Sequence, residues 1–283
     1  MPKFFGKSGS LSPAEIIKLR RKRKAEKRAK REFHGKKAEL LSAFIKRFPL
    51  VKAPSIHQEL IEARIHTALA SNSKLKIIVF WGGSKEGPNP NAGNSELKAL
   101  SEINWFANEL GIYGVKFEVR LLFMDSYARR LNNEPEEKIR AYRESLRPAL
   151  KEHEFELDSL DGIYRRFGGP ESPKKSPSER KWKENAAKVL ERIKSDPETV
   201  SMLSSLARKH SPNANVDEII KNYVSLHAFD DYLLERVFPN AIYVSFGNPK
   251  SQKAISGLPT IFFYKNKEKG RAGELGVPWF SKD

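Results

Sequence analysis

One segment of the chain changes its hydrophobic period twice, and this limits the folds that are available. Residues 76–81 (Lys-Ile-Ile-Val-Phe-Trp) form a short, continuous apolar run, which predicts a strand buried on both faces. A glycine-rich loop over residues 82–93 follows, and a helix then begins at Asn94 or Ser95. Alternating apolar residues over 115–124 predict a second strand. This order makes a βαβ unit, so we predict an α/β fold with a mostly parallel sheet.

The rest of the chain adds helices and further strands to this unit. Residues 241–246 and 258–264 have the apolar character of strands, and the glycine- and proline-rich residues 168–178 predict a linker or a mobile loop. We predict one α/β domain over residues 38–283, with a helical insertion over about 152–238. Apolar residues at helical spacing predict six further helices, at residues 38–48, 56–70, 135–151, 179–194, 197–209 and 216–236.

Basic charge is concentrated in the first 37 residues. The chain has 52 Lys and Arg against 35 Asp and Glu, a net charge of +17. Residues 1–37 hold 14 of those basic residues and three acidic ones, a net charge of +11. Ser12, Pro13 and Glu15 have the order of a helix N-terminus, with a capping hydroxyl, proline in the first turn and glutamate behind it. We therefore predict a basic helical arm over residues 1–37.

This arm has the composition of a polyphosphate-binding surface. Binding to several phosphates of RNA or DNA would weaken steeply with salt, but no aromatic residues are interleaved to stack on bases. A solvated helix, a localisation signal and a site for an acidic protein are the alternatives, and the sequence leaves them open. The candidate nucleic-acid-binding residues are Arg20, Arg21, Lys22, Arg23, Lys24, Lys27, Arg28 and Arg31.

Several residue types exclude other kinds of site. No cysteine is present, which excludes disulfides, thiolate metal sites and a cysteine nucleophile. His227, Asp230 and Asp231 are the best candidate metal ligands, but a solvated or capping histidine is favoured, so we predict no metal and no cofactor. No apolar run approaches the roughly 20 residues of a membrane helix. We expect a soluble, cytoplasmic protein that does not bind a membrane, or a nuclear one if the source is a eukaryote.

The loop after the first strand is the first candidate site. Open α/β sheets bind ligands at the carboxyl ends of their strands. The loop presents small residues, a hydroxyl and a cation there, and the helix start at Ser95 favours an anion. A merely flexible loop is the alternative. The loop residues concerned are Gly82, Gly83, Ser84 and Lys85.

A carboxylate follows the second strand directly. Asp125 is placed to hold a substrate ammonium group or to act as a base, with Tyr127 beside it. The alternative is an Asx turn or a helix N-cap, to which the sequence gives equal weight.

Short motifs from residue 75 onwards have the order of one enzyme family. The first strand ends in Val79-Phe80-Trp81, and Lys85 stands where that family has a Phe-Lys pair. Asp125 closes the second strand, and residues 133–142 resemble the family's next helix. In these features the chain resembles the isocyanide (isonitrile) synthases, also called the pyoverdine/dityrosine biosynthesis family.

The C-terminal motifs resemble the same family with two departures. Residues 242–247 resemble a Ser-Ile-His strand, and residues 277–280 resemble a Thr-Pro-Trp-His ending. Gly247 and Phe280 therefore stand where the family has histidines. Neither side chain can bind phosphate or transfer a proton as an imidazole does.

The resemblance implies a Rossmann-like fold and an enzyme that joins an amino acid's amine to ribulose 5-phosphate and converts the nitrogen to an isocyanide. It implies that Lys85 contacts the phosphate or carbonyl and Asp125 the amine, so the partners are a small-molecule amine and a phosphorylated sugar. The alternative function is RNA or DNA binding through the basic arm, and both can hold. The substrate-binding candidates are Gly82, Gly83, Ser84, Ser95, Tyr127, Ser245, Lys250 and Trp279.

Overall fold

The computed structural model describes residues 35–36, 39, 55–83, 92–130, 134–169, 172–173, 179–210, 215–246 and 256–263. The chain divides into two units, Met1–Phe44 and Ile45–Asp283, and the elements below belong to the second. The basic arm and its boundary at residue 37 stay predictions, because residues 1–34 and the boundary residue lie outside the described residues.

The second unit alternates helices and strands along the chain. The helices are α1 (Ser55–Ser71), α2 (Asn94–Ile112), α3 (Asp125–Arg130), α4 (Glu136–Glu152), α5 (Leu160–Phe167), α6 (Glu179–Lys194), α7 (Pro197–His210) and α8 (Val216–Val237). The strands are β1 (Leu75–Gly82), β2 (Phe117–Met124), β3 (Glu156–Ser159), β4 (Gly168–Gly169), β5 (Ser172–Pro173), β6 (Ile242–Ser245) and β7 (Thr260–Phe262).

Five strands form one parallel sheet in the order β3-β2-β1-β6-β7. The central strand β1 pairs Ile77 with Val119 of β2 on one side and with Ile242 of β6 on the other. All three side chains are buried, as expected for a parallel sheet that is covered on both faces. The predicted α/β class with a parallel sheet is confirmed.

The strand order reverses between β1 and β6. The chain proceeds outward from β1 through β2 to β3, and it then returns to the other side of β1 with β6 and β7. Such a reversal is a topological switch point, and the loops at the carboxyl ends of the two strands diverge there. The fold therefore opens a crevice beyond the ends of β1 and β6.

Helices from different parts of the chain cover the two faces of the sheet. On one face, α5 and the C-terminal half of α8 pack over Ile78, Leu122 and Tyr243. On the other, Tyr142 of α4 accepts a 3.0 Å hydrogen bond from Trp81 Nε1. None of the described helices is long and apolar enough to cross a membrane.

The predicted helical insertion over about 152–238 contains a strand. Residues 156–159 form β3, the edge strand of the sheet, which pairs with β2 before α5 begins. Arg120 of β2 forms ion pairs with Glu156 and Asp158 of β3, at 2.7 and 3.0 Å. Four residues that are mostly polar have no clear strand pattern, and β3 forms because β2 offers it an unpaired edge.

Part of the predicted linker over residues 168–178 is ordered as a small hairpin. Gly168–Gly169 pairs antiparallel with Ser172–Pro173. Gly168 has a φ of 92°, a conformation that a residue with a Cβ rarely adopts. Gly168 therefore lets the chain change direction at the C-terminal end of α5.

Candidate functional site

A cavity of about 300 Å³ lies at the switch point of the sheet. Its size is at the lower end of the range for small-molecule sites, and its position is where open α/β sheets bind ligands. The lining residues come from the ends of β1, β2 and β6, from α3, from α8, and from β7 and the segment before it. They are Phe80, Trp81, Gly82, Gly83, Met124, Tyr127, Ala128, Tyr223, His227, Asp230, Asp231, Leu234, Ser245, Phe246, Ser256 and Thr260.

Gly83 lets the end of β1 approach the start of α3. A Cβ atom on Gly83 would lie 2.8 Å from the Cβ of Ala128 and would overlap the backbone carbonyl of Met124. Neither neighbour is the end of a flexible side chain, so only glycine fits at this position. All three residues of this close approach, Gly83, Met124 and Ala128, line the cavity.

Asp230 of α8 is held by two tyrosines from other elements. Its carboxylate accepts hydrogen bonds from the hydroxyl of Tyr127 at 2.7 Å and from that of Tyr164 at 2.5 Å. Burial, and then the negative charge of Asp230, raise the pKa of Tyr127 well above its usual value. Tyr127 therefore stays protonated and donates, and Asp230 ties α3 and α5 to α8.

Asp231, the next residue, faces the start of β7. Its carboxylate accepts hydrogen bonds from Ser256 Oγ at 2.9 Å and from the amide of Gly257 at 2.8 Å. Burial raises the pKa of Asp231 to about 7 against the effect of these hydrogen bonds. A carboxyl group with this pKa exchanges protons near neutral pH, which suits general acid–base chemistry.

His227 lies one helical turn before Asp231. The centroid of its ring is 4.4 Å from that of Tyr223 and 5.2 Å from that of Tyr127. Burial lowers the pKa of His227 to about 4, so the ring is neutral at pH 7. The prediction of a solvated or capping histidine is wrong: the tyrosines enclose the ring, because α8 turns this face towards α3.

Metal binding has no geometric basis in the described part of the chain. No set of three His, Asp or Glu side chains among the described residues is arranged to bind a metal ion, and this includes His227, Asp230 and Asp231.

Four of the predicted substrate-binding residues meet at the cavity. Gly82 and Gly83 end β1, Tyr127 lies on α3, and Ser245 ends β6 with only 2% of its surface exposed. Ser95 is in the first turn of α2, and its side chain lies outside the described residues. The roles of the other predicted residues stay predictions, because these lie outside the described residues: Ser84, Lys85, Lys250, Trp279, Arg20, Arg21, Lys22, Arg23, Lys24, Lys27, Arg28 and Arg31.

Asp125 is not among the residues that line the cavity. Its carboxylate accepts hydrogen bonds of 3.1 Å from the amide of Ser126 and from the amide of Asp161 at the start of α5. These are the contacts of the turn and capping alternative that the sequence left open. Burial raises the pKa of Asp125, which is only 3% exposed. Its predicted amine-binding role stays a prediction that this position does not favour.

The start of α2 differs from the prediction of a cap at Asn94 or Ser95. The N-cap is Gly93, whose amide donates to Glu96 Oε2 at 2.9 Å. The preceding amide, of Ala92, donates to Ser145 Oγ at 2.8 Å. The amides of Ala92 and Gly93 thus already have acceptors in the protein, and Glu96 places a carboxyl group in the first turn of the helix, where the sequence analysis expected an anion to be favoured.

No family model and no curated protein matches the sequence significantly. Among solved structures, the protein is similar to the crystal structure of PvcA from Pseudomonas aeruginosa. The TM-score is 0.52 and the sequence identity 14%, over 76% of this chain and 78% of that of PvcA. The fold is that of PvcA. The resemblance found in the sequence is confirmed for the fold alone.

The polar residues of α8 are the part of the cavity lining that the sequence analysis did not assign to a substrate site. Tyr223, His227, Asp230 and Asp231 all line the cavity, although His227 and the two aspartates were considered only as weak metal ligands. Their spacing of three or four residues places them on one side of a helix. Two adjacent aspartates in a helix that otherwise carries apolar residues at core spacing were the available signal, since it costs free energy to shield a carboxylate from water.

Proposed function

We propose that this chain is an isocyanide-synthase-like enzyme that joins the amine of an amino acid to a phosphorylated ketose such as ribulose 5-phosphate. The observation that carries the proposal is a cavity at the switch point of a PvcA-like sheet whose wall combines two carboxylates with an imidazole. These groups suit a reaction in which an amine attacks a carbonyl and protons are exchanged.

The charges of the residues that line the cavity support an amine as one substrate. Asp230 and Asp231 line the cavity, and none of the described lining residues is Lys or Arg. A low-dielectric cavity with this lining attracts a cation such as an ammonium group. Each carboxylate accepts two hydrogen bonds from the protein. We assign the ammonium to Asp231, because its raised pKa of about 7 also suits the proton transfer that the amine needs.

The proton affinity of Asp231 also suits the step in which the amine attacks the carbonyl carbon. An ammonium group has no lone pair, so it must lose a proton before the nitrogen can attack a carbonyl carbon. A carboxyl group with a pKa of about 7 is ionised often enough to accept that proton and holds it well enough to return it later. Asp231 therefore acts as both the binding group for the amine and its base.

Lys85 and Lys250 are the proposed partners of the phosphate. Lys85 follows Gly83 by two residues, and Lys250 follows Phe246 by four. Both loops start from residues that line the cavity, which supports assigning a phosphate to the lysines. A lysine ammonium group binds phosphate as a point charge.

The test is a thermal-shift titration of the full chain with ribulose 5-phosphate, with and without L-tyrosine. A ligand that binds only the folded state raises the melting temperature by mass action. We expect both ligands to stabilise the protein, Asp231→Asn to reduce the effect of tyrosine, and Lys85→Ala to reduce that of the sugar phosphate. Mass spectrometry of the mixture then detects the product.

The matched control is Asp217→Asn, which changes an exposed aspartate in the first turn of the same helix. It should bind both ligands as the wild type does. If neither ligand stabilises the wild-type protein, the proposed function is wrong. If both bind equally well to Asp231→Asn, the assignment of the amine is wrong.

A further inference from the structure

Two pairs of perpendicular aromatic rings line the cavity. Trp81 in β1 and Phe246 just after β6 form one pair, with ring centroids 5.6 Å apart and an interplanar angle of 87°. Tyr127 of α3 and Tyr223 of α8 form the other, at 6.3 Å and 85°. A ring that meets its partner edge to face keeps a face that the partner does not cover. The faces of such rings attract cations.

Two carboxylates lie in the same wall as these rings. Asp230 and Asp231 line the cavity, and none of the described lining residues is Lys or Arg. Tyr127 belongs to both groups, since its ring pairs with that of Tyr223 and its hydroxyl donates to Asp230 at 2.7 Å. Negative charge in a cavity of low dielectric constant attracts a cation more strongly than it would in water. The combination of carboxylates and aromatic rings therefore suits an organic cation.

The oxygen atoms of both carboxylates already accept hydrogen bonds from the protein. Those of Asp230 accept from two tyrosine hydroxyls. Those of Asp231 accept from Ser256 Oγ and from the amide of Gly257. A primary ammonium group brings three N–H donors, and a donor left unpaired away from water costs free energy. A nitrogen that carries methyl groups in place of hydrogens keeps the charge and brings no donor, so this wall suits a methylated ammonium ion.

We propose that the cavity binds quaternary ammonium ions, with their methyl groups against the aromatic rings and their charge near Asp230 and Asp231. A quaternary nitrogen has no lone pair, so such an ion cannot attack a carbonyl carbon as the amine of the proposed reaction does. The inference rests on the proposed function only in placing that amine in the same cavity, where the two would compete.

Three small alcohols with the same two-carbon chain separate charge from methyl groups. Choline carries a trimethylammonium group, 3,3-dimethylbutan-1-ol carries an uncharged tert-butyl group in its place, and ethanolamine carries a primary ammonium group. Calorimetric titration of the full chain at pH 8, where Asp231 with its pKa of about 7 is mostly ionised, measures each affinity. We expect choline to bind about tenfold more tightly than the other two. No binding of choline, or equal binding of choline and the uncharged alcohol, overturns the inference.

Substitutions at Tyr223 test the contribution of a ring. Tyr223→Leu removes the ring and should weaken the binding of choline about two- to thirtyfold. Tyr223→Phe keeps the ring without the hydroxyl and should keep most of the affinity. Tyr232→Leu is the control, because Tyr232 lies on the same helix and is not among the residues that line the cavity. Equal binding by Tyr223→Leu and the wild type overturns the inference, and the three alcohols decide if that variant does not fold.

The same titrations separate the inference from the proposed function. Binding of L-tyrosine and ribulose 5-phosphate without binding of choline overturns the inference and leaves the proposed function standing. Binding of choline without binding of the sugar phosphate or of L-tyrosine overturns the proposed function and leaves the inference standing. Where choline and L-tyrosine both bind, choline should raise the apparent dissociation constant of L-tyrosine, and independent binding of the two overturns the inference.

Discussion

The N-terminal and C-terminal halves of α8 differ in what they pack against and in what they bury. Its N-terminal half packs against α6 and α7 through a hydrophobic cluster that contains Val189, Ile193, Leu203, Ile220 and Val224. Its C-terminal half packs on the sheet and presents His227, Asp230 and Asp231 to the cavity. The first half buries apolar surface, which stabilises the fold. The second buries Asp230 and half-buries His227 and Asp231, and shielding these groups from water costs free energy.

The largest expected effect on stability concerns the C-terminal half of α8, which packs on the sheet. Asp230→Ala removes the acceptor of hydrogen bonds from Tyr127 and Tyr164. Hydrogen bonds to a charged group contribute about 1.5–3 kcal/mol each, so we expect the free energy of unfolding to fall by about 3–5 kcal/mol. Urea denaturation measures this change. Asp217→Ala, an exposed change on the same helix, should stay within about 0.5 kcal/mol of the wild type.

A somewhat smaller effect on stability is expected in the N-terminal half of α8. Ile193→Ala opens a cavity in the apolar cluster, where Ile193 is 1% exposed, and should lower the free energy of unfolding by about 2–4 kcal/mol. Ligand binding at a temperature where the variant is folded should not change. Loss of binding in this variant would show that the two halves of α8 are coupled and would contradict the comparison.

The pH dependence of stability gives a further test of the comparison, because Asp231 and His227 change the free energy of unfolding in opposite directions. The raised pKa of Asp231, about 7, makes stability fall as the pH rises from about 4 to about 7. The lowered pKa of His227, about 4, makes stability rise between about pH 4 and pH 6.5. The two contributions have opposite signs and similar size, so in the wild type they largely cancel.

Single substitutions should reveal how each residue makes the melting temperature depend on pH. Asp231→Asn leaves the histidine, so its melting temperature should increase with pH between 4 and 6.5. His227→Phe leaves the aspartate, so its melting temperature should decrease between pH 4 and 7. Parallel melting curves for both variants over this range would show that neither group is buried as described.

The smallest effect on stability is expected outside the α/β domain. Deleting residues 1–37 should change the melting temperature by no more than about 2 °C, and it should abolish salt-sensitive RNA or DNA binding if the predicted arm contacts phosphates. Binding is measured by fluorescence anisotropy at several salt concentrations. Equal binding by the truncated protein would exclude the arm as the nucleic-acid site.

Much of the fold could be predicted because hydrophobic periodicity is a local property. The buried run that became β1 and the alternation that became β2 are visible in single windows of sequence. The edge strand β3 could not be found in this way. It has four residues, and it exists because Arg120 and the backbone of β2 pair with it.

The candidate site was likewise predicted only in part. Gly82, Gly83, Tyr127 and Ser245 were predicted, because they lie at or just after the ends of strands and ligands bind at those ends of an open sheet. The polar residues of α8 were not, because their partners are distant in sequence. Tyr127 and Asp230, which share a hydrogen bond, are 103 residues apart.

The sequence by itself determined the parallel α/β architecture, the basic charge of the first 37 residues and the strand ends where a site would form. Only the tertiary structure decided which carboxylate faces the cavity. Asp125 and Asp231 are both aspartates next to apolar segments, and nothing local distinguishes them. Asp125 accepts hydrogen bonds from the amides of Ser126 and Asp161, whereas α8 crosses the switch point and carries Asp231 to the cavity wall. The difference arises from packing between distant elements, which no single window of sequence contains.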